Sequence, residues 1–328
     1  MRSKGFKSYI GFVRSILHEK IGTGTPVEKE YIPAEVYGVF GGGFYGEYKN
    51  VIDYITISTP SNATDFGDLT VGRTTLAATS NGTNDRGVFG GGNEDAVLNT
   101  IDYITISTPS NATDFGDLID EINNLAATSN GTNDRGVFGG GNISGEINII
   151  QYITISTVGN ANDFGDLTVP RDFLGATSNG TNDRGVFGGG HGAEIFNTID
   201  YITISTLGDA TDFGDLTTAR QMLTATSNGT NDRGVFGGGY KSEHYNTIDY
   251  ITISTPSNAT DFGDLTVGKS RLAATSNGTD DRGVFGGGYD GTNYLNTIDY
   301  ITISTPSNAT DFGDLTVERN SLAATSNA

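Results

Sequence analysis

The chain has 328 residues, carries 39 Asp and Glu against 19 Lys and Arg, and has a formal net charge of -20, with no Cys and no Trp. So acidic a chain would repel nucleic-acid phosphates, whose binding needs clustered Lys and Arg, and without Cys neither disulfides nor thiolate metal centres can form. No apolar run reaches the roughly 18 residues of a membrane-crossing helix, so no transmembrane segment is expected.

The N-terminus differs from the rest. Arg2, Lys4, Lys7, Arg14 and Lys20 stand against a single acid, Glu19, in the first 20 residues. A basic and then apolar start resembles a signal peptide, but Lys7 and Arg14 interrupt its apolar part, so retention is expected. Phe6, Tyr9, Ile10, Val13, Ile16 and Leu17 recur at helical spacing as one apolar stripe with basic residues around it. Gly22 and Gly24-Thr25-Pro26 end the pattern. Residues 1–37 read as a short basic amphipathic helical arm. Such a helix can lie on a membrane or anchor the chain to a protein partner, and anchoring is the expectation.

From residue 38 the chain repeats itself, with 13 basic and 35 acidic residues in this part. Gly-Val-Phe-Gly-Gly-Gly begins at Gly38, Gly87, Gly136, Gly185, Gly234 and Gly283, each 49 residues after the last. Fixed self-similarity of this period is the signature of a repeat architecture. Each copy reads as four strands, 87–91, 101–108, 113–118 and 125–129 in the second copy. The 101–108 segment alternates and is β-branched, which suits a pleated strand. Asn130-Gly131 leads from the fourth strand into the next copy as a hairpin signal. Four short strands in a repeat of 40–50 residues describe a propeller blade. The fold class expected is all-β: a six-bladed propeller with four-stranded blades over 38–328, plus the arm.

The residues resemble the kelch family. The resemblance rests on Phe89-Gly90-Gly91, Tyr103, Phe115 and Leu118, and on a basic column of Arg73, Arg171, Arg220, Lys269 and Arg319. Phe stands where kelch repeats usually have Trp, Ile122 breaks the basic column, and Tyr103 is followed by Ile104. The resemblance implies architecture and says little about activity. Near-identical Gly-rich copies are also similar to those of predicted virion proteins of tailed bacteriophages, especially marine ones.

The copies begin mid-blade, so 322–328 should return to complete the first blade with 36–71 and remove open edges. Small residues such as Ala126, Ala127 and Ser129 suit strands that crowd an axis. Two unbroken columns, Phe40 with its five equivalents and Phe66 with its five, should pack blade on blade, joined by the Tyr54 column.

Candidate chemistry is weighed against plainer roles. Asp-Phe-Gly-Asp, as at Asp65–Asp68, lacks the alternating oxygen ligands of a calcium loop and reads as a tight turn with Asp capping backbone amides. The Asp85-Arg86 pair and its copies read as an inter-blade hydrogen-bond belt. Recurrent Asn-x-Thr sequons, including Asn62 and Asn81, read as turn chemistry. His18, His191 and His244 share no ligand spacing, so no metal and no cofactor are expected. No nucleophile–base–orienter set can be assembled, so no enzyme is expected.

The copies differ in two segments, one after Gly-Gly-Gly and one before the fourth strand. Antiparallel pairing brings both to the same face. That face displays Tyr45, Tyr48, His191, Tyr240, His244, Tyr245, Tyr289 and Tyr294, and Tyr is a common binding anchor. Drift in exposed loops is the plain alternative. The expectation is a non-enzymatic phage virion protein. The arm would bind other virion proteins, and the variable face would meet a host-surface glycan or protein. A carbohydrate-binding or interaction propeller outside any virion is the alternative.

Overall fold

Every copy supplies four strands because its apolar and β-branched residues alternate between Gly- and Asn-rich breaks. The structure is a computed structural model and describes residues 36–81, 85–131, 133–180, 182–229, 231–276 and 281–327. The chain divides into Met1–Ala34 and Glu35–Ala328. The expected helical arm, with Phe6, Tyr9, Ile10, Val13, Ile16 and Leu17, lies outside the described residues.

Glu35–Ala328 is a six-bladed β-propeller of four-stranded antiparallel blades. Blade 2 shows the plan. Ala77–Ser80 is innermost, followed outward by Arg86–Gly90, Thr100–Thr105 and Thr113–Asp117. Blades 3 to 6 follow in chain order. The innermost strands touch their neighbours all the way round and close a ring. Blade 1 takes its inner strand from the far end of the chain: Ala323–Ser326 pairs with Tyr37–Gly41, in register from Gly38↔Ser326 to Gly41↔Ala323. Val51–Thr56 and Thr64–Asp68 complete it. The backbone N–H of Tyr37 donates to Asn327 Oδ1 at 2.9 Å, a further tie between the two ends. Among the described residues no helix is long and apolar enough to cross a membrane.

Apolar clusters lie between blades. Val39, Ile52 and Phe66 of blade 1 pack with Phe89, Ile104 and Ile106 of blade 2. The Phe columns are enclosed throughout; Phe40 and Phe89 have no exposed surface. Burying each such side chain contributes roughly 1.5–3 kcal/mol. The second strand of each blade ends in Gly for a packing reason. A Cβ on Gly41 would sit 2.7 Å from Cε1 of Phe89, and Gly286 has the same relation to Phe40, so the stacking closes round the ring.

Three polar belts tie the blades. The first uses the basic column. Arg73 sits in the connection from blade 1 to blade 2 and, fully enclosed, meets the equally enclosed Asp102 at 2.9 Å. Arg171–Asp200, Arg220–Asp249, Lys269–Asp299 and Arg319–Asp53 repeat the pair at 2.8–3.0 Å. Ile122 and Gln151 occupy the same two places between blades 2 and 3. Both are buried, and Gln151 Oε1 accepts the backbone N–H of Ile119 at 2.8 Å.

The second belt is built from Asp-Arg. Arg86 lies over the Tyr103 ring at 4.6 Å and donates to the Ile155 carbonyl of the next blade at 2.9 Å. Asp134 accepts from Asn81 of the preceding blade at 3.0 Å. The third belt uses one set of sequon Asn residues: Asn111 Oδ1 accepts the backbone N–H of Asp68 at 3.1 Å, and Asn62 does so for Asp314.

Asp-Phe-Gly-Asp lies within the strand expected over 113–118 and its copies, in blade 1 the outermost strand Thr64–Asp68, with a register shift between Ile52 and Asp53; its reading as a tight turn is corrected. Asp and Gly are tolerated because the strand is an edge with an exposed face. Gly67 has φ +144° and lies close to the Ser110 carbonyl of blade 2, where a Cβ would come within 2.6 Å.

Candidate recognition face

The two variable segments meet at every seam between blades through the same backbone register. At the blade 1–2 seam, Thr74 of the connection bridges Asn93 of the next loop, and Asn93 bridges Val97 across that loop. The equivalent bridges are Asn123↔Asn142, Asp172↔His191, Gln221↔Tyr240, Ser270↔Tyr289 and Asn320↔Phe44. Each seam thus presents three residues: the far end of one loop, the connection, and the start of the next loop. The backbone is constant while the side chains change.

Six of the eight expected residues come together on one part of this face. Tyr240 and His244 of blade 5 have ring centroids 5.0 Å apart, and His244 meets Tyr289 of blade 6 edge-on at 5.6 Å. Tyr289 and Tyr294 are 5.4 Å apart. Tyr294 reaches blade 1, at 5.5 Å from Tyr45 and 6.2 Å from Phe44, and Phe44 meets Tyr48 at 5.6 Å. The result is a continuous aromatic arc over blades 5, 6 and 1. Phe44 belongs to it and carried no sequence signal beyond its place in a variable segment.

Polar groups edge the arc. Ser270 Oγ lies 3.2 Å from His244 Nδ1. Burial pulls the His244 imidazolium below its ordinary pKa, with Asp290 opposing and Arg271 reinforcing the shift. The Tyr45 hydroxyl is pushed up by its hydrogen bond and charge interaction with Glu318. Tyr45 is 40 % exposed, and the other rings of the arc are half-buried.

The remaining two residues lie apart from the arc. Tyr245 is half-buried at the loop base, at the place held by Leu98, Ile147 and Phe196 in other copies, and its carbonyl accepts the Lys269 N–H at 3.1 Å. His191 sits at the blade 3–4 seam beside Glu146 and Asp172. Those two carboxylates were not expected, because three unequal spacings conceal them until the strands are in register.

Nearer the axis, the connections close a ring of their own. Asn124 N–H donates to the Thr75 carbonyl, Phe173 to Asn124, Met222 to Phe173, Arg271 to Met222, Ser321 to Arg271 and Thr75 to Ser321, at 2.7–3.0 Å. All six have φ between +53° and +58°, a left-handed backbone that non-Gly residues rarely adopt. The ring rims a cavity of about 150 Å³ at the channel mouth. Arg271 there donates from Nε to Met222 Sδ at 3.3 Å and lies 5.8 Å over Phe173.

No known family model matches the chain, and no curated protein matches it.

Proposed function

We propose that the chain is a non-enzymatic recognition protein of a phage particle, in which kelch-like blades hold an aromatic arc against a host-surface glycan. The arc carries the reading. Seven rings in sequence offer π-faces and edges on which the C–H faces of sugar rings stack, while Ser270, Glu318 and Asp290 supply hydroxyl partners beside them. The arc lies where the copies differ, as a surface that selects a ligand would. The charged groups of the repeated inter-blade clamp are enclosed against each other, away from any substrate. Attachment to other virion proteins falls to residues 1–37, whose stripe and charges suit docking.

The experiment is a glycan array with the full chain, followed by titration of the best ligand. Tyr289→Ser and Tyr294→Ser should each weaken binding tenfold or more while the ring stays folded. Undiminished binding by both variants would refute the arc as the site. Virion membership is read separately, as a fixed copy number in purified particles that is lost when residues 1–34 are removed. Sugar binding by a chain absent from particles would favour a carbohydrate-binding propeller outside any virion.

A further inference from the structure

The blade 3–4 seam carries different chemistry from the arc, although it uses the same three backbone positions. His191 Nδ1 lies 3.5 Å from Glu146 Oε1 and 3.6 Å from Asp172 Oδ1. One ligand-capable atom from each of the three falls within 4.8 Å of the others. Two of the groups are held by backbone: Asp172 N–H donates to the His191 carbonyl at 2.8 Å, and His191 N–H returns to Asp172 at 2.9 Å. Glu146 comes from the loop of the preceding blade, across from Asn142.

Asp172 supplies the decisive observation. It is 3 % exposed, and its Oδ2 accepts the side-chain amides of Asn124 at 3.3 Å and Asn142 at 3.4 Å. Its Oδ1, directed at the imidazole, has no hydrogen-bond partner. A buried carboxylate oxygen left without a partner is costly. The separations to His191 exceed a good hydrogen bond. They match the edge of a tetrahedron instead, since metal–ligand bonds of about 2.0–2.2 Å place ligand atoms roughly 3.3–3.6 Å apart. Among the described residues no Lys or Arg pairs with any of the three.

We propose that Glu146, Asp172 and His191 form a divalent-cation site fitted to Zn²⁺, with three protein ligands and a fourth position open to solvent. One nitrogen and two carboxylate oxygens suit this ion. The His191 and Glu146 side chains are 39 % and 32 % exposed, which leaves a path for entry and room for water. Burial holds the Asp172 carboxyl above its ordinary pKa, with His191 and the two amides pulling against it. A bound cation favours the ionised form and gives Oδ1 the partner it lacks. The site is independent of what the aromatic arc binds.

The test uses the full chain stripped with a chelator and titrated with Zn²⁺ by calorimetry. The expected result is one equivalent bound at this seam, a raised melting temperature, and no comparable binding of Mg²⁺. His191→Asn and Glu146→Ile use residues that other copies carry at these places, Asn142 and Ile195, so the backbone already accommodates them. Each should weaken Zn²⁺ binding at least tenfold and leave metal-free melting unchanged. Absence of saturable binding at one equivalent would overturn the site and leave His191 as an ion-pair partner only. Undiminished binding by both variants would overturn it as well.

Discussion

The inter-blade clamp can be tested against a control that the protein already contains. Arg171 and Asp200 are fully enclosed and 2.9 Å apart. Arg171 also donates to the Thr198 carbonyl at 2.9 Å, while Asp200 accepts the backbone N–H and hydroxyl of Thr168 at 3.2 and 2.7 Å. Arg171→Ile alone leaves Asp200 charged, enclosed and held only by neutral donors. Breaking a buried pair in this way costs about 3–5 kcal/mol. Adding Asp200→Gln reproduces the seam where Ile122 faces Gln151, and Gln can accept the Thr168 N–H as Gln151 accepts that of Ile119. Replacing a whole buried pair is often close to neutral, so the double variant should lie within about 1 kcal/mol of the parent.

The single variant should thus cost about 2 kcal/mol or more beyond the double, and Asp200→Gln alone completes the cycle from which the coupling, the double's effect less the sum of the two singles', is obtained. Urea unfolding followed by far-ultraviolet circular dichroism gives it, after a check for coincident transitions. The converse holds at the second seam. Ile122→Arg alone buries an unpaired cation and should destabilise, whereas Ile122→Arg with Gln151→Asp should recover the loss. Additive effects, with coupling below about 0.5 kcal/mol at both seams, would refute the pairing as the reason the two columns change together.

Deleting residues 322–328 removes the inner strand of blade 1 and the buried Leu322, and should abolish soluble monodisperse protein in size-exclusion chromatography; cooperative melting at the parent temperature would contradict it. Asp172→Asn bears on pH, because burial raises this carboxyl in the folded chain. Such a group supports folding below its unfolded pKa, and that support is lost as pH rises through the folded value. In metal-free protein the parent should therefore lose stability relative to Asp172→Asn as pH rises from below the ordinary carboxylate value through the raised folded one, and a pH-independent difference in melting temperature would count against the raised carboxyl.

Much of the fold was legible because the repeat supplies six readings of each position. The Phe columns, the alternating third strand and the small inner-strand residues all pointed the same way. The segment 113–118 reads as a strand, yet the Asp-Phe-Gly-Asp within it also reads as a turn, because Asp and Gly are turn formers and an exposed outer strand tolerates them. The Ile122–Gln151 pair left a signal that single-column reading passes over. Both departures fall at the spacing of 29 residues that separates Arg73 from Asp102. A lost cation beside a lost anion at that interval implies contact. The His191 triad was less accessible. Its members lie on two loops and a connection, and only the bridge register Asp172↔His191 and Asn142↔Glu146 brings them to one place.

The same register explains how one propeller can hold unlike chemistries side by side. Stability resides in elements that scarcely vary: Phe stacked on Gly, the basic–Asp clamp, and the Arg that in blades 2 to 6 crosses from the blade's Tyr to the next blade's carbonyl, with Tyr37 in its place against Tyr54 in blade 1. The seam residues contribute little to those elements, because the backbone bridges beneath them form with Thr74, Asn123, Asp172, Gln221, Ser270 or Asn320 in the connection. A side chain can therefore change there without disturbing the ring, provided that its own polar atoms find partners. At the blade 5–6 seam they do so through His244 and Ser270 beside Tyr289. At the blade 3–4 seam one oxygen does not. Asp299 Oδ2 also lacks a hydrogen bond but faces the Lys269 ammonium at 3.0 Å, whereas Asp172 Oδ1 faces only the His191 imidazole at 3.6 Å, and that difference is the local indication that the seam completes itself with something other than protein.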